Sequence, residues 1–205
     1  MFDGAIRRLI DRPLDRLGKA IADAGISADQ VTIGAFLVGI AAAAAVAAGA
    51  FMLALVLLAA GRVGDGLDGA VARATRKTDR GGFLDIVLDF FFYGAFPAAF
   101  AVHDPAANAL PAAILLLSFY MNGATFLAFA VMAAKRGIET TAQGQKSLYY
   151  ITGLAEGFET IAVFAAFCLF PGWFAQIAYV FAAVCLASAL ARVVIGWRVL
   201  GEDTP

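Results

Sequence analysis

Charge is what this chain lacks most. Of its 205 residues only 15% are charged and 62% are hydrophobic, and the mean hydropathy is +0.83. A soluble domain carries about a quarter charged residues, so an apolar excess of this size calls for a bilayer as solvent. Two cysteines, Cys168 and Cys185, both lie within apolar runs. They are too few for a disulfide framework and lack metal-ligand spacing, which leaves them as small buried hydrophobes. The single histidine, His103, precedes Asp104 in a predicted loop, far from the acidic cluster described below. It reads as a solvated loop residue. The first residues, "MFDGAIRRLIDRPLDRLGKAIADAG", contain no apolar core ahead of a small-residue cleavage site, so a cleaved signal peptide is not expected. A net charge of −1 gives no reason to expect nucleic acid as a partner.

What remains is apolar sequence with short interruptions. A span needs about 20 apolar residues, and the pattern predicts six: near 31–48, 51–74, 82–102, 109–134, 147–170 and 173–197. Ala48, Gly49 and Ala50 form the first reversal, Asp104-Pro105 breaks the chain after the third span, and Pro171-Gly172 turns it before the sixth. Six spans put both termini on one side. All 15 basic residues then fall on that same side: in the N-terminal segment, between spans two and three, between four and five, and at the end of six. By the positive-inside rule that side is the cytoplasm, and the membrane expected is a bacterial inner membrane. No repeat of fixed period is present. Trp173 and Trp197 fall near span ends, as interfacial tryptophans do.

Ahead of the first span, Ile6, Leu9, Ile10, Leu14, Leu17 and Ile21 recur at three- and four-residue steps, with Arg7, Arg8, Arg12, Asp15, Arg16 and Lys19 between them. This predicts an amphipathic interfacial helix over 1–28, with Pro13 as a bend or fresh start. The expected fold is therefore an all-α integral membrane protein. It is a six-transmembrane-helix bundle over 31–198 behind that helix, and the whole chain, 1–205, is one domain.

Within this apolar chain one stretch, "DGLDGAVARATRKTDRGGFLDIVLD" at 65–89, carries four aspartates. Asp65 and Asp68 are three apart, and Asp85 and Asp89 are four apart, so each pair shares one helix face. The two helices are joined by a short loop and run antiparallel, which lets the pairs converge just inside the cytoplasmic boundary. Four like charges there would repel, and Mg²⁺ or Mn²⁺, which prefers carboxylate oxygens, would relieve the repulsion. Gly64, Gly66, Gly69, Gly81 and Gly82 leave room beside the acids, and Arg73 follows Gly69 by one turn. Acids, space and a guanidinium together describe a pyrophosphate pocket.

The stretch resembles the signature of the CDP-alcohol phosphotransferase family: Asp65, Asp68, Gly69, Ala72, Arg73, Gly81, Asp85 and Asp89 stand at its fixed positions. The spacer at 74–80 is one residue shorter than is usual in the family. Gly82 would restore that count but not the distance to Asp85. The resemblance implies a membrane enzyme, usually dimeric, that moves a substituted phosphoryl group from a CDP-linked donor to an alcohol and releases CMP. It implies Mg²⁺ or Mn²⁺ held by Asp65, Asp68 and Asp85, with Asp89 touching a second ion and acting as general base for the acceptor hydroxyl. Gly69, Ala72 and Gly81 would give the nucleotide close access, and Arg73 would support the phosphates. A polar nucleotide with a lipid tail, as in CDP-diacylglycerol, suits an interfacial site. A divalent-cation channel or transporter lined by the same acids is the competing reading, against which the Arg73 position and the Gly-Asp spacing argue.

The acceptor is less legible. Glu156 and Glu159 lie three apart in the fifth span, and an acid that deep should face protein rather than lipid. Lys135, Arg136 and Lys146 could bind a phosphorylated acceptor, and Arg62, three before Asp65, could reach the same cavity. These six residues are the candidate acceptor pocket. Serine, glycerol-3-phosphate, an inositol derivative and a phospholipid all remain open as the alcohol.

Overall fold

The computed structural model describes residues 3–136 and 157–201, with side chains from Pro13 onward. Every element among them is helical: α1 (Asp3–Asp23), α2 (Ala28–Ala47), α3 (Phe51–Ala74), α4 (Asp79–His103), α5 (Pro105–Lys135), α6 (Gly157–Leu169) and α7 (Phe174–Gly201), with a 3₁₀ turn at Pro171–Trp173 before α7. Among the described residues, four helices are long and apolar enough to cross a membrane: α2, α4, α5 and the turn plus α7. The other two expected spans differ for different reasons. α3 has the length, at 24 residues, but its second half carries Arg62, Asp65, Asp68 and Arg73. The described part of α6 is 13 residues, because the first half of the segment expected at 147–170 lies outside the described residues.

The helix ends follow from local chemistry. α1 runs through Pro13 without a break. It ends at Gly25, where a backbone φ of 81° allows the Ile26 N–H to reach back to the Ile21 carbonyl at 3.2 Å. Ser27 then opens α2 with a reciprocal capping box to Gln30. The expected reversal between α2 and α3 is present: Gly49 has φ 76°, and the Ala50 N–H donates to the Ala45 carbonyl at 2.8 Å. Thr78 caps α4 by accepting from the Gly81 N–H at 3.0 Å, so that helix starts a few residues before the predicted 82. Asp104 caps α5 by accepting from Ala107 N–H at 3.1 Å, with Pro105 in the first turn, where its missing N–H costs nothing. His103 is the last residue of α4 rather than a loop residue, and its ring sits edge-on to Phe51 at 5.0 Å.

The core is aromatic. Phe92, Phe96 and Phe100 recur every four residues along α4 and are fully buried. They meet Phe164 and Phe167 of α6 and Phe174 of α7, with Phe96 stacked on Phe164 at 4.6 Å and Phe100 on Phe174 at 4.4 Å. Of the consecutive Phe90, Phe91 and Phe92, Phe91 is exposed, Phe90 is part-exposed against Gly123 of α5, and only Phe92 is core. Both cysteines are buried and unpaired, as expected. Trp173 and Trp197 are exposed. The aromatic wedge fixes α4 against α6 and α7, and α2 and α1 pack on α3. The α3–α4 joint is thereby held from three sides.

Candidate active site

Asp65 and Asp68 lie on α3, and Asp85 and Asp89 lie on α4. The two helices bring Asp65, Asp68 and Asp85 together: one carboxylate oxygen from each lies within 4.8 Å of the others. Two oxygens on opposite sides of a Mg²⁺ stand roughly 4.2 Å apart at about 2.1 Å each. Small side-chain rotations would therefore close this trio on a divalent ion, and the donor set is the hard, all-oxygen kind that such ions prefer. A small cleft of about 10 Å³ adjoins the trio, lined by Thr32, Arg62, Asp65, Asp85, Asp89 and Phe92 among others.

Asp89 stands apart from the trio. Its Oδ1 accepts a hydrogen bond from Arg62 Nη1 at 3.2 Å. The same nitrogen lies 3.5 Å from Asp65 Oδ2, and the guanidinium rests 4.7 Å from the centre of the Phe92 ring. Arg62 thus joins the carboxylate cluster itself, whereas the sequence suggested it only for the acceptor pocket.

Two contacts from other helices complete the cluster. The Thr32 hydroxyl of α2 donates to Asp68 Oδ2 at 2.7 Å in a buried setting. Asp68 is the most enclosed of the four acids, at 8% exposure, so this bond satisfies an oxygen that water reaches poorly. From α1, Asp15 Oδ1 accepts from both Nε and Nη2 of Arg73, at 3.1 and 2.7 Å. The helices touch closely enough for this because Gly18 of α1 lies on Ala70 of α3: a Cβ at Gly18 would stand 2.6 Å from the Ala70 Cβ. Arg73 in turn lies over Gly69, where an added Cβ would be 3.4 Å from its Nη1. Gly81 is similarly confined, with Asp29 Oδ1 3.2 Å from where its Cβ would be, and Asp29 also accepts from Arg80 at 2.6 Å. Ala72 is half-buried beside them.

Thr32, Asp15 and Asp29 were not among the expected site residues. Asp15 comes from α1, and Asp29 and Thr32 both come from the start of α2, dozens of positions away, and no spacing rule links them to the motif. The one available signal was Asp15, an acid set among the basic residues of the polar face of α1.

The candidate acceptor residues are scattered. Lys135 and Arg136 are exposed at the end of α5, and Arg136 donates to the Leu200 carbonyl of α7 at 2.6 Å. Glu159 lies in the first described turn of α6, with Oε2 buried and without a hydrogen-bond partner. Lys146 and Glu156 lie outside the described residues. A larger cavity of about 550 Å³ opens between α4, α5, α6 and α7, mostly apolar, with Phe90, Tyr93, Asn122, Thr160 and Arg192 on its wall. Arg192 is buried there and donates to Asn122 Oδ1 at 2.8 Å.

An all-helical integral membrane protein with a carboxylate trio at the joint of two of its helices is a narrow class. Residues 26–195 match the CDP-alcohol phosphatidyltransferase profile. The chain belongs to that family, and it is a phosphotransferase of phospholipid synthesis. Over nearly its whole length it is similar to the inner membrane protein YnjF of Escherichia coli, at 42% identity over 200 residues, 98% of this chain and 97% of that protein. The archaetidylinositol phosphate synthase of Pyrococcus horikoshii is 44% identical over 85 residues, 41% of this chain and 45% of that one. In fold the chain is similar to phosphatidylinositol phosphate synthase of Mycobacterium tuberculosis, solved with CDP-DAG bound. The TM-score is 0.73 at 18% identity, covering 91% of this chain and 94% of that structure.

Proposed function

We propose that the protein transfers a phosphatidyl group from CDP-diacylglycerol to an alcohol and releases CMP, at a site on the cytoplasmic face of a bacterial inner membrane. The observation that carries this reading is the convergence of Asp65, Asp68 and Asp85 beside a basic, glycine-lined helix joint. Both the CDP-DAG-bound fold relative and the inner-membrane relative support it. The six-span count, with α1 lying in the interface, is supported by the basic residues, which all fall on one side of that topology. A homodimer, usual for the family, is part of the same proposal.

The residues divide the work. Asp65, Asp68 and Asp85 hold Mg²⁺ or Mn²⁺, which supplies positive charge against the donor pyrophosphate. Arg73, poised over Gly69, adds a guanidinium for the phosphates. Gly69, Ala72 and Gly81 keep side-chain bulk away from the nucleotide. Asp89 takes the proton from the acceptor hydroxyl as its oxygen bonds to the phosphorus of the phosphatidyl group. The bond from that phosphorus to the bridging oxygen breaks, and CMP leaves with the electron pair. The anionic nucleophile would otherwise be repelled by an anionic donor, so paired positive charge is the main requirement of the site.

The acceptor approaches through the cavity of about 550 Å³, because one of its wall residues, Tyr93, lies one helical turn beyond Asp89 on the same face of α4. Asn122, Thr160 and Arg192 put polar groups on the opposite wall, which suits a polar or phosphorylated alcohol. Purified protein is tested for CMP release from CDP-diacylglycerol with Mg²⁺ or Mn²⁺ across a panel of alcohols, with products read by mass. Metal-dependent CMP release that requires an alcohol supports the proposal. No CMP release with any member of the panel would sink it.

A further inference from the structure

We propose that Tyr93 selects the acceptor: its hydroxyl donates a hydrogen bond to a second oxygen of the alcohol, within two carbons of the hydroxyl that Asp89 deprotonates. The inference rests on the transferase reading above and concerns the wall of the cavity through which the acceptor approaches.

Tyr93 follows Asp89 by four residues on α4, which puts both side chains on one helix face. Its ring is tilted against Phe92 at 5.8 Å and edge-on to Phe164 at 6.3 Å. Both phenylalanines are fully buried in the core, so the tyrosine ring has little freedom on that side. The hydroxyl end is different. Tyr93 lines the cavity of about 550 Å³, and its oxygen lies against Gly157 at the start of α6, where an added Cβ would stand 3.5 Å from it. The glycine puts no side chain over the hydroxyl.

That hydroxyl makes no hydrogen bond to any described residue. A polar group left unpaired in apolar surroundings is costly, and phenylalanine would fill the same place beside Phe92 and Phe164 without that cost. On the opposite wall Arg192 is already engaged, donating to Asn122 Oδ1 at 2.8 Å and to the Asn122 carbonyl at 3.0 Å. Tyr93 thus keeps a donor ready for what fills the cavity. Among the charged groups, Asp89 acts on the phenol most strongly, ahead of Arg62, Asp65 and Asp85, so the hydroxyl faces the carboxylate side. Cβ atoms four residues apart on a helix stand about 5–6 Å from each other. A small molecule with two oxygens close together bridges such a pair through two hydrogen bonds, one to each side chain. Tyr93 binds the acceptor without taking its proton, so losing the hydroxyl changes KM rather than kcat.

The purified full chain in lipid nanodiscs is assayed for CMP release from CDP-diacylglycerol with Mn²⁺. The acceptors are glycerol-3-phosphate, serine, inositol 1-phosphate and phosphatidylglycerol. Each is set against an analogue that lacks the nearby oxygen: 3-hydroxypropyl phosphate, ethanolamine, a deoxyinositol phosphate and phosphatidyl-1,3-propanediol. In Tyr93→Phe the KM for the acceptor used should rise about three- to tenfold, the worth of one neutral hydrogen bond. Its kcat and its KM for CDP-diacylglycerol should stay near the wild type. The wild type should prefer that acceptor to its analogue by a similar factor, and Tyr93→Phe should not. A wild type that uses the analogue as well as the parent overturns the inference, a result that needs no variant to fold. So does Tyr93→Phe with an unchanged acceptor KM, or with its loss in kcat or in the KM for CDP-diacylglycerol. No CMP release by the wild type with any of these acceptors overturns the transferase reading itself.

Discussion

Thr32→Val offers a sharp test of how the site is assembled, because it leaves every motif residue in place. Valine has the shape of threonine but no hydroxyl, so the change removes the 2.7 Å bond to Asp68 Oδ2 without opening a cavity. The hydroxyl has one proton, and Asp68 is nearer than its other acceptor, the Ala28 carbonyl at 3.0 Å. A hydrogen bond to a charged group contributes about 1.5–3 kcal/mol. At about 1.4 kcal/mol per factor of ten, that is roughly ten- to hundredfold, the range found when outer partners of metal-ligating carboxylates are removed. The Mn²⁺ concentration giving half-maximal CMP release should therefore rise by about ten- to hundredfold in Thr32→Val. Thr32→Ser, which keeps the hydroxyl, should stay near the wild type. The reasoning is refuted by an unchanged metal requirement in Thr32→Val, or by a serine variant as impaired as the valine one.

Other perturbations test separate contacts. Asp89→Asn should abolish CMP release while Mn²⁺ binding persists, because the converging trio does not include Asp89; loss of both would place Asp89 among the ligands. Asp15→Asn should leave thermal stability within about 1 kcal/mol, since its pair with Arg73 is half exposed. It should raise the KM for CDP-diacylglycerol severalfold with kcat little changed, and an unchanged KM would leave that pair without a role at the site. Gly18→Val would drive a side chain into Ala70, where even a Cβ stands 2.6 Å away. Overpacking of this kind costs about 1–3 kcal/mol, and a thermal melt as stable as the wild type would show that α1 can shift freely on α3.

The parts legible in the sequence were those governed by short-range rules. Gly49 and its alanine neighbours marked a reversal because only a residue at ease with positive φ turns a helix pair so tightly. The end of α3 followed from the charged joint, and the face shared by Asp65 and Asp68 followed from helical spacing. The helical starts at Asp79 and Pro105 were missed by a few residues because their caps, Thr78 and Asp104, lie in polar stretches that also read as loops. The contacts of Thr32, Asp15 and Arg62 depend on which faces of α1, α2, α3 and α4 meet. Periodicity shows that a helix has a face but not which helix that face will touch. The core illustrates the same limit: Phe90, Phe91 and Phe92 are chemically alike, and only packing against Phe164 and Phe96 selects Phe92.

Those cross-helix contacts share a logic. Asp68 is held by a hydroxyl from α2, Asp89 by a guanidinium from α3, and Arg73 by a carboxylate from α1. Asp68, Asp89 and Arg73 are thus each steadied by an element other than their own, while Asp65 meets Arg62 of its own helix. An apolar bundle has little else with which to orient charges, since water is scarce and a mispaired charge there is expensive. The same economy explains why so few charged residues suffice: the chain concentrates them at one helix joint and makes neighbouring helices responsible for their geometry. Loosening any of these helices should therefore disturb the chemistry before it unfolds the bundle. In Gly18→Val, activity should fall at temperatures where the helical signal is still complete, and coincident loss of both would argue that α1 contributes only to stability.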